Sequence, residues 1–303
     1  MRYFVEQMTL GLTNGAIYAL IALGYTMVYG IIELINFAHG DIFTVGGLIG
    51  LTAIGLLGLD HAPPALVIPG VILVFAVAMG LNGLVGVAIE RVAYRPLRNA
   101  PRLAPLITAV GMSFVLEGII FLLKGPNDIS YPNLLPSGRL NLGLASIGIS
   151  NILIVVIAVI LMVALNQFIQ RTRIGRAMRA TAQDRDAARL MGININRTIA
   201  ITFFIGSALA AAGGIINGFY LETIRFDQGF RAGLIAFTAA VFGGIGNVVG
   251  ASIGGFVIGI IIALVTGYFQ GGGQWSDVVV FSILILTLVF RPTGLLGMRV
   301  PEK

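Results

Sequence analysis

Few side chains in this 303-residue chain could carry out covalent or metal chemistry. There are two histidines, His39 and His61, and no cysteine. The lack of cysteine excludes thiolate nucleophiles, disulfides and cysteine metal sites. The histidines do not stand in HxxxH or HExxH spacing, so a metal site would need carboxylates from elsewhere. No Ser-His-Asp set and no working pair of carboxylates can be read from the spacing. A phosphate-binding GxxxxGK[ST] loop requires a Gly-Lys pair, whereas the two lysines, Lys124 and Lys303, follow Leu123 and Glu302. If ATP drives this protein, another chain hydrolyses it. Enzymatic chemistry within the chain is not expected.

What remains is a set of polar groups in apolar surroundings and one charged stretch. Asn36, His39 and Asp41 cluster in NFAHGD, after the first apolar segment. Polar residues at membrane depth are costly and face a cavity or one another. One reading has this break line a translocation path or hold a kinked helix. The other has it as a turn at the membrane interface, with His39 satisfied by backbone. Asn247, in GGIGNVVG, is expected to end a broken helix, and the half-helix after it would offer backbone N–H groups to a substrate carboxylate. Asn82 and Glu117 lie within apolar segments and are expected to face the interior of a bundle. Tyr18, Tyr25, Tyr29, Tyr268 and Trp275 suit packing and interfacial anchoring better than ligand stacking.

The charged stretch is QRTRIGRAMRATAQDRDAARLMGININR, residues 170–197. It contains DAARLMG. Asp186 can cap or begin a short helix, because a carboxylate accepts from orphan backbone N–H groups. Ala187 and Ala188 offer a flat face for close contact. Gly192 can end the helix in the left-handed conformation. Arg185 and Arg189, four apart, keep the flank soluble. Such a helix is either a solvated connector or an element shaped to dock into a groove on another protein.

The elements around these residues are set by composition. The chain is 57% hydrophobic and 11% charged, against about 25% charged in soluble domains. A membrane helix needs about 20 apolar residues. Candidate segments run over 8–30, 41–59, 65–90, 103–123, 149–168, 198–220, 232–246, 248–269 and 277–291. The prediction is an all-α polytopic membrane protein with eight or nine hydrophobic segments, in one domain spanning 1–303. Segments 41–59 and 232–246 are the weak ones; each is either a full crossing or a re-entrant or broken helix. The first segment is too long for a signal-peptide core and is expected to stay.

Arginine placement predicts orientation. Arg91, Arg95, Arg98 and Arg102 share one loop, and seven arginines from Arg171 to Arg197 share a second. Arg291, Arg299 and Lys303 lie at the C-terminus. The positive-inside rule puts these three regions in the cytoplasm and the loops 124–148 and 221–231 outside. Topology thus explains the net charge of +6 without nucleic acid. The side of the N-terminus depends on whether both 8–30 and 41–59 cross. Glycine pairs four apart (Gly11/Gly15, Gly46/Gly50, Gly250/Gly254, Gly255/Gly259) suit close helix contacts, within the subunit or with a second one. The runs from Gly15 and from Ala232 both place an apolar helix before a polar, glycine-containing break, a hint of internal repetition.

DAARLMG resembles the glutamate-alanine-alanine loop of ABC importer permeases, with Asp186 where glutamate is usual. The stretch GLTNGAIYALIALGYTMVYGIIELINFAHGD (11–41), the run FGGIGNVVGASIGG (242–255) and RPTGLLG (291–297) resemble LivH-type permeases of branched-chain amino acid ABC importers. The resemblance covers nearly the whole chain. It implies a permease in the bacterial inner membrane, translocating branched-chain or related small aliphatic amino acids. It also implies a second related permease, two cytoplasmic ATP-binding subunits that bind ATP and Mg, and a periplasmic amino acid-binding protein. Asp186, Ala187, Ala188, Arg189 and Gly192 would then couple to the ATPases. Asn36, His39, Asp41 and Asn247 would be the translocation-path or helix-break residues. The alternatives are an ion-gradient-driven amino acid carrier, a passive channel, and an ABC permease for urea or short amides.

Overall fold

The computed structural model describes residues 2–98, 100–101, 103–136, 138–141 and 146–297. Arg102, Arg299 and Lys303, used above to orient the chain, lie outside the described residues. Eleven α-helices account for most of the rest: α1 (Arg2–Ile32), α2 (His39–Leu57), α3 (Pro64–Ile89), α4 (Leu103–Lys124), α5 (Ile149–Arg171), α6 (Arg173–Gln183), α7 (Arg185–Leu190), α8 (Ile195–Leu221), α9 (Gln228–Gly243), α10 (Val248–Tyr268) and α11 (Gly272–Phe290). All but α6, α7 and α9 are long and apolar enough to cross a membrane. This is an all-α, multi-pass membrane protein. The β-structure described is two antiparallel ribbons. β1 (Ile129–Ser130) pairs with β4 (Thr223–Ile224), and β2 (Arg139–Asn141) with β3 (Ser146–Gly148).

The molecule has two ends. One carries α6, α7 and the 90–98 turn and is called here the arginine end; the other carries the ribbons and is the loop end. α1 starts at the loop end, where the Tyr3 hydroxyl donates to the Gly267 carbonyl at the close of α10 (2.6 Å). It finishes at the arginine end, where Arg185 donates to the Ile31 carbonyl (2.9 Å). α1 and α8 form the core, and α3, α4, α5 and α11 form a rim whose exposed Leu, Ile, Val and Phe side chains suit a lipid surround.

Lipid tails give helices no hydrophobic reason to associate, so packing depends on close fit. The four-residue glycine pairs provide that fit within the subunit. α1 lies along α10 so closely that a Cβ on Gly11 would stand 2.7 Å from Ile260 Cα, and one on Gly15 2.7 Å from Phe256 Cα. Gly46 meets Ala211 of α8, and Gly254 meets Ala239 of α9.

The two weak segments differ: α2 is one continuous helix that starts after an interruption, and α9 is a short one. α1 ends at Glu33, which takes a left-handed φ of 55°. Residues 33–38 then run back into the bundle without helix, so that α2 begins part-way along its neighbours. His39 packs against Gly24, well inside α1, and Asp41 meets Ser113, at the middle of α4. α9 has 16 residues, about 24 Å, short of the roughly 30 Å hydrocarbon core. It runs beside α10, with Gly243 on Gly250, and stops at a turn, 244–247, which lies against Gly30 near the end of α1.

Candidate functional site

The α1–α2 break gathers a buried polar knot. Asn36, His39, Asp41 and Thr44 are all buried, beside Asn82 of α3 and Ser113 of α4. Tyr94 donates its hydroxyl to Asn36 Oδ1 (2.8 Å). The Ser113 hydroxyl donates to the Asp41 carboxylate. Asn82 donates to the Ile42 carbonyl (3.0 Å) and the Ser207 carbonyl (2.8 Å), tying α3 to α2 and α8. His39 stacks edge-on against Tyr25, with ring centroids 4.9 Å apart. The second nitrogen or oxygen of Asn36, His39 and Asp41 has no hydrogen-bond partner among the described residues. NFAHGD is therefore a buried interruption between α1 and α2, inside the bundle. Asn82 faces the interior of the bundle as expected. Glu117 is half-buried.

The arginine end is built of short, capped elements. Thr172 caps α6 by accepting from the Gly175 N–H (2.9 Å). Asp184, and not Asp186, caps α7, accepting from the N–H groups of Asp186 (2.8 Å) and Ala187 (3.0 Å). Asp186 sits in the first turn, exposed, facing Arg189 at 3.6 Å. Gly192 has φ 83°. Its N–H donates to the Arg189 carbonyl (3.0 Å) while Ile193 N–H donates to the Ala188 carbonyl (3.0 Å), which closes the helix. The alanine face is divided: Ala187 is exposed, but Ala188 is 4% exposed and packs into the chain's own core. The outward surface is instead Ala187, Arg189, Leu190 and Met191, the last two 88% and 83% exposed. The sequence reading missed this pair, although two large apolar residues ahead of a helix-ending glycine were a visible signal.

It also missed Glu90. This buried carboxylate accepts from Arg95 (3.1 Å) and from Arg98, at a π-helical turn over Glu90–Tyr94. Arg98 also reaches Asn196 at the start of α8. Beside these residues a groove of about 330 Å³ opens between the end of α1 and the α6–α7 junction.

Asn247 caps α10. Its side-chain oxygen accepts from the N–H groups of Val249 (3.0 Å) and Gly250 (3.1 Å), and its amide donates to the Leu296 carbonyl (2.8 Å). The N–H groups expected to meet a substrate carboxylate are thus taken by Asn247 itself. The segment 291–297 folds over this turn, with Leu295 and Leu296 donating to Phe242 and Gly243.

At the loop end a second cleft, of about 420 Å³, lies between α1, α8 and the 225–235 segment. Ile17, Phe43 and Ile235 supply apolar wall, and Arg225, Asp227 and Arg231 supply charge. Arg225 pairs with Asp227, and this hydrogen-bonded guanidinium holds the Asp227 carboxyl below its usual range. Arg231 pairs with Asp277 of α11 through two nitrogens (3.0 and 2.8 Å). Below the cleft, Gly229 presses on Gly40 and Thr44, which separates it from the polar knot.

Comparison with known proteins agrees with this architecture. The family described as branched-chain amino acid transport system / permease component matches residues 7–288. The chain is 45% identical to the high-affinity branched-chain amino acid transport system permease protein BraD of Pseudomonas aeruginosa, over 99% of this chain and 98% of that one. It is 44% identical to the corresponding LivH of Escherichia coli K12, over the same shares. A probable branched-chain amino acid transport permease of Methanocaldococcus jannaschii is 30% identical over 92% of this chain and 88% of its own.

Proposed function

Since this chain belongs to the family of branched-chain amino acid transport system permease components, we propose that it forms half of the translocation path of an ATP-driven importer of branched-chain and related small aliphatic amino acids. The observation that carries this reading is identity of 45% and 44%, end to end, with two relatives named for that transport. A second, related permease completes the path. The membrane is the bacterial inner membrane. The arginine end faces the cytoplasm, because basic loops are retained there, and the C-terminal segment lies on that side.

Two cytoplasmic subunits bind ATP and Mg and supply the energy. α7 is the element that meets them: it is short, capped at both ends and topped by exposed Leu190 and Met191. Its movement is carried to the core by Arg185, which holds the end of α1, and by α8, which is joined to α7 by the four residues 191–194. A periplasmic binding protein delivers the amino acid at the loop end, where the β1–β4 ribbon joins the loops 124–148 and 221–231 into one surface.

The test is leucine uptake by the complete assembly in proteoliposomes. Uptake should require ATP and persist when an ionophore abolishes ion gradients. Uptake that needs the gradient and not ATP would replace this reading with an ion-driven carrier.

A further inference from the structure

We propose that the loop-end cleft is a binding site for one zwitterionic aliphatic amino acid, occupied after delivery and before passage; this rests on the transport reading above. At about 420 Å³ it falls within the range of small-ligand pockets, roughly 300–1,000 Å³. Its two kinds of surface match the two parts of such a molecule. Ile17, Phe43 and Ile235 form an apolar wall for the side chain. At the rim, charges alternate: Arg225 pairs with Asp227, and Arg231 with Asp277. A zwitterion carries one charge of each sign, so it can join this series without adding net charge. The donors that each guanidinium keeps after pairing are free for the ligand carboxylate, and Asp227 retains acceptor capacity for its ammonium group.

Between rim and wall stand two amides. Gln228 Nε2 is buried and has no acceptor among the described residues. Asn217 lines the cleft beside it. A buried donor with no acceptor is costly, and a ligand carboxylate would satisfy it. A neutral amide such as urea could use Asn217 and Gln228 but would have no use for the paired charges or the apolar wall. The cleft therefore favours amino acids over short amides.

The experiment uses the complete assembly in proteoliposomes, with leucine and valine as probes. Wild-type leucine uptake tests the transport reading alone, and its absence would sink both that reading and the site. Given wild-type uptake, Gln228→Met and Asp227→Asn should each raise the KM for leucine about tenfold, as expected for a lost hydrogen bond to a charged group. Unchanged KM in both would overturn the site and leave the transport reading standing. Ala232→Leu narrows the cleft and gives a ratio that does not depend on how much protein assembles. Leucine uptake should fall about tenfold relative to valine, since methylene-scale differences in apolar pockets discriminate by roughly 10–200-fold. An unchanged ratio would also overturn the site.

Discussion

The two ends of the bundle solve the problem of ending a helix in different ways. At the arginine end, α6, α7, α8 and α10 each begin on a side chain that accepts from their first N–H groups: Thr172, Asp184, Asn194 and Asn247. At the loop end, α3, α5, α9 and α11 begin with no such side-chain bond. The charges follow the same division. Glu90 is buried under two arginines at one end, whereas Arg225–Asp227 and Arg231–Asp277 lie at the surface of the other. If the arginine end receives force, as proposed, these caps and the Glu90 ion pairs are what tie its short helices down. An end that admits a ligand has to keep donors and acceptors in reserve. Gln228 stands at that end, with its buried Nε2 lacking an acceptor among the described residues.

The contrast can be broken at its strongest point. Glu90→Ala strips the partner from Arg95 and Arg98 and should cost about 3–5 kcal/mol, the usual penalty for breaking a buried ion pair. Thermal unfolding of the detergent-solubilised assembly would read this, and a loss no larger than that of a surface pair would refute the rigid arginine end. Asp184→Ala removes the α7 cap and should cost about 1 kcal/mol, with a fall in ATP-driven uptake. Asp277→Asn, at the loop end, should cost still less, about 0.2–1 kcal/mol for an exposed pair. The same unfolding series would expose a reversed order, in which case the ends do not differ as described.

Much of this fold was legible in the sequence, because lipid imposes a simple rule on apolar length. Eight of the nine apolar segments correspond to long helices, and the two weak segments were weak for a physical reason: one is a helix that begins inside the bundle and the other is short. DAARLMG was readable as a short helix, since Gly192 and its neighbours carry their own local signals. The facing of its residues was not. Which of Ala187 and Ala188 turns inward depends on the packing of α7 against α8, and the cap fell to Asp184 because the preceding helix α6 stops at Gln183. The loop-end cleft escaped notice because it is made by residues distant in sequence, and Glu90 because a lone glutamate at the end of an apolar run looks like a boundary marker, although its partners Arg95 and Arg98 are close in sequence. Asn247 was expected to end a broken helix; it instead begins α10, and its side chain uses the N–H groups that the helix start exposes.

The natural absence of cysteine allows a direct measurement of the central claim, that α7 is where the energy enters. In a Met191→Cys variant of the complete assembly, the only thiol in this chain projects from the exposed end of α7. A short bismaleimide should join it to an ATP-binding subunit bearing one engineered cysteine, with a yield that changes between nucleotide-free and ATP-bound states. Crosslinks that never form, in an assembly that still imports leucine, would contradict the account and move the energy-coupling surface elsewhere.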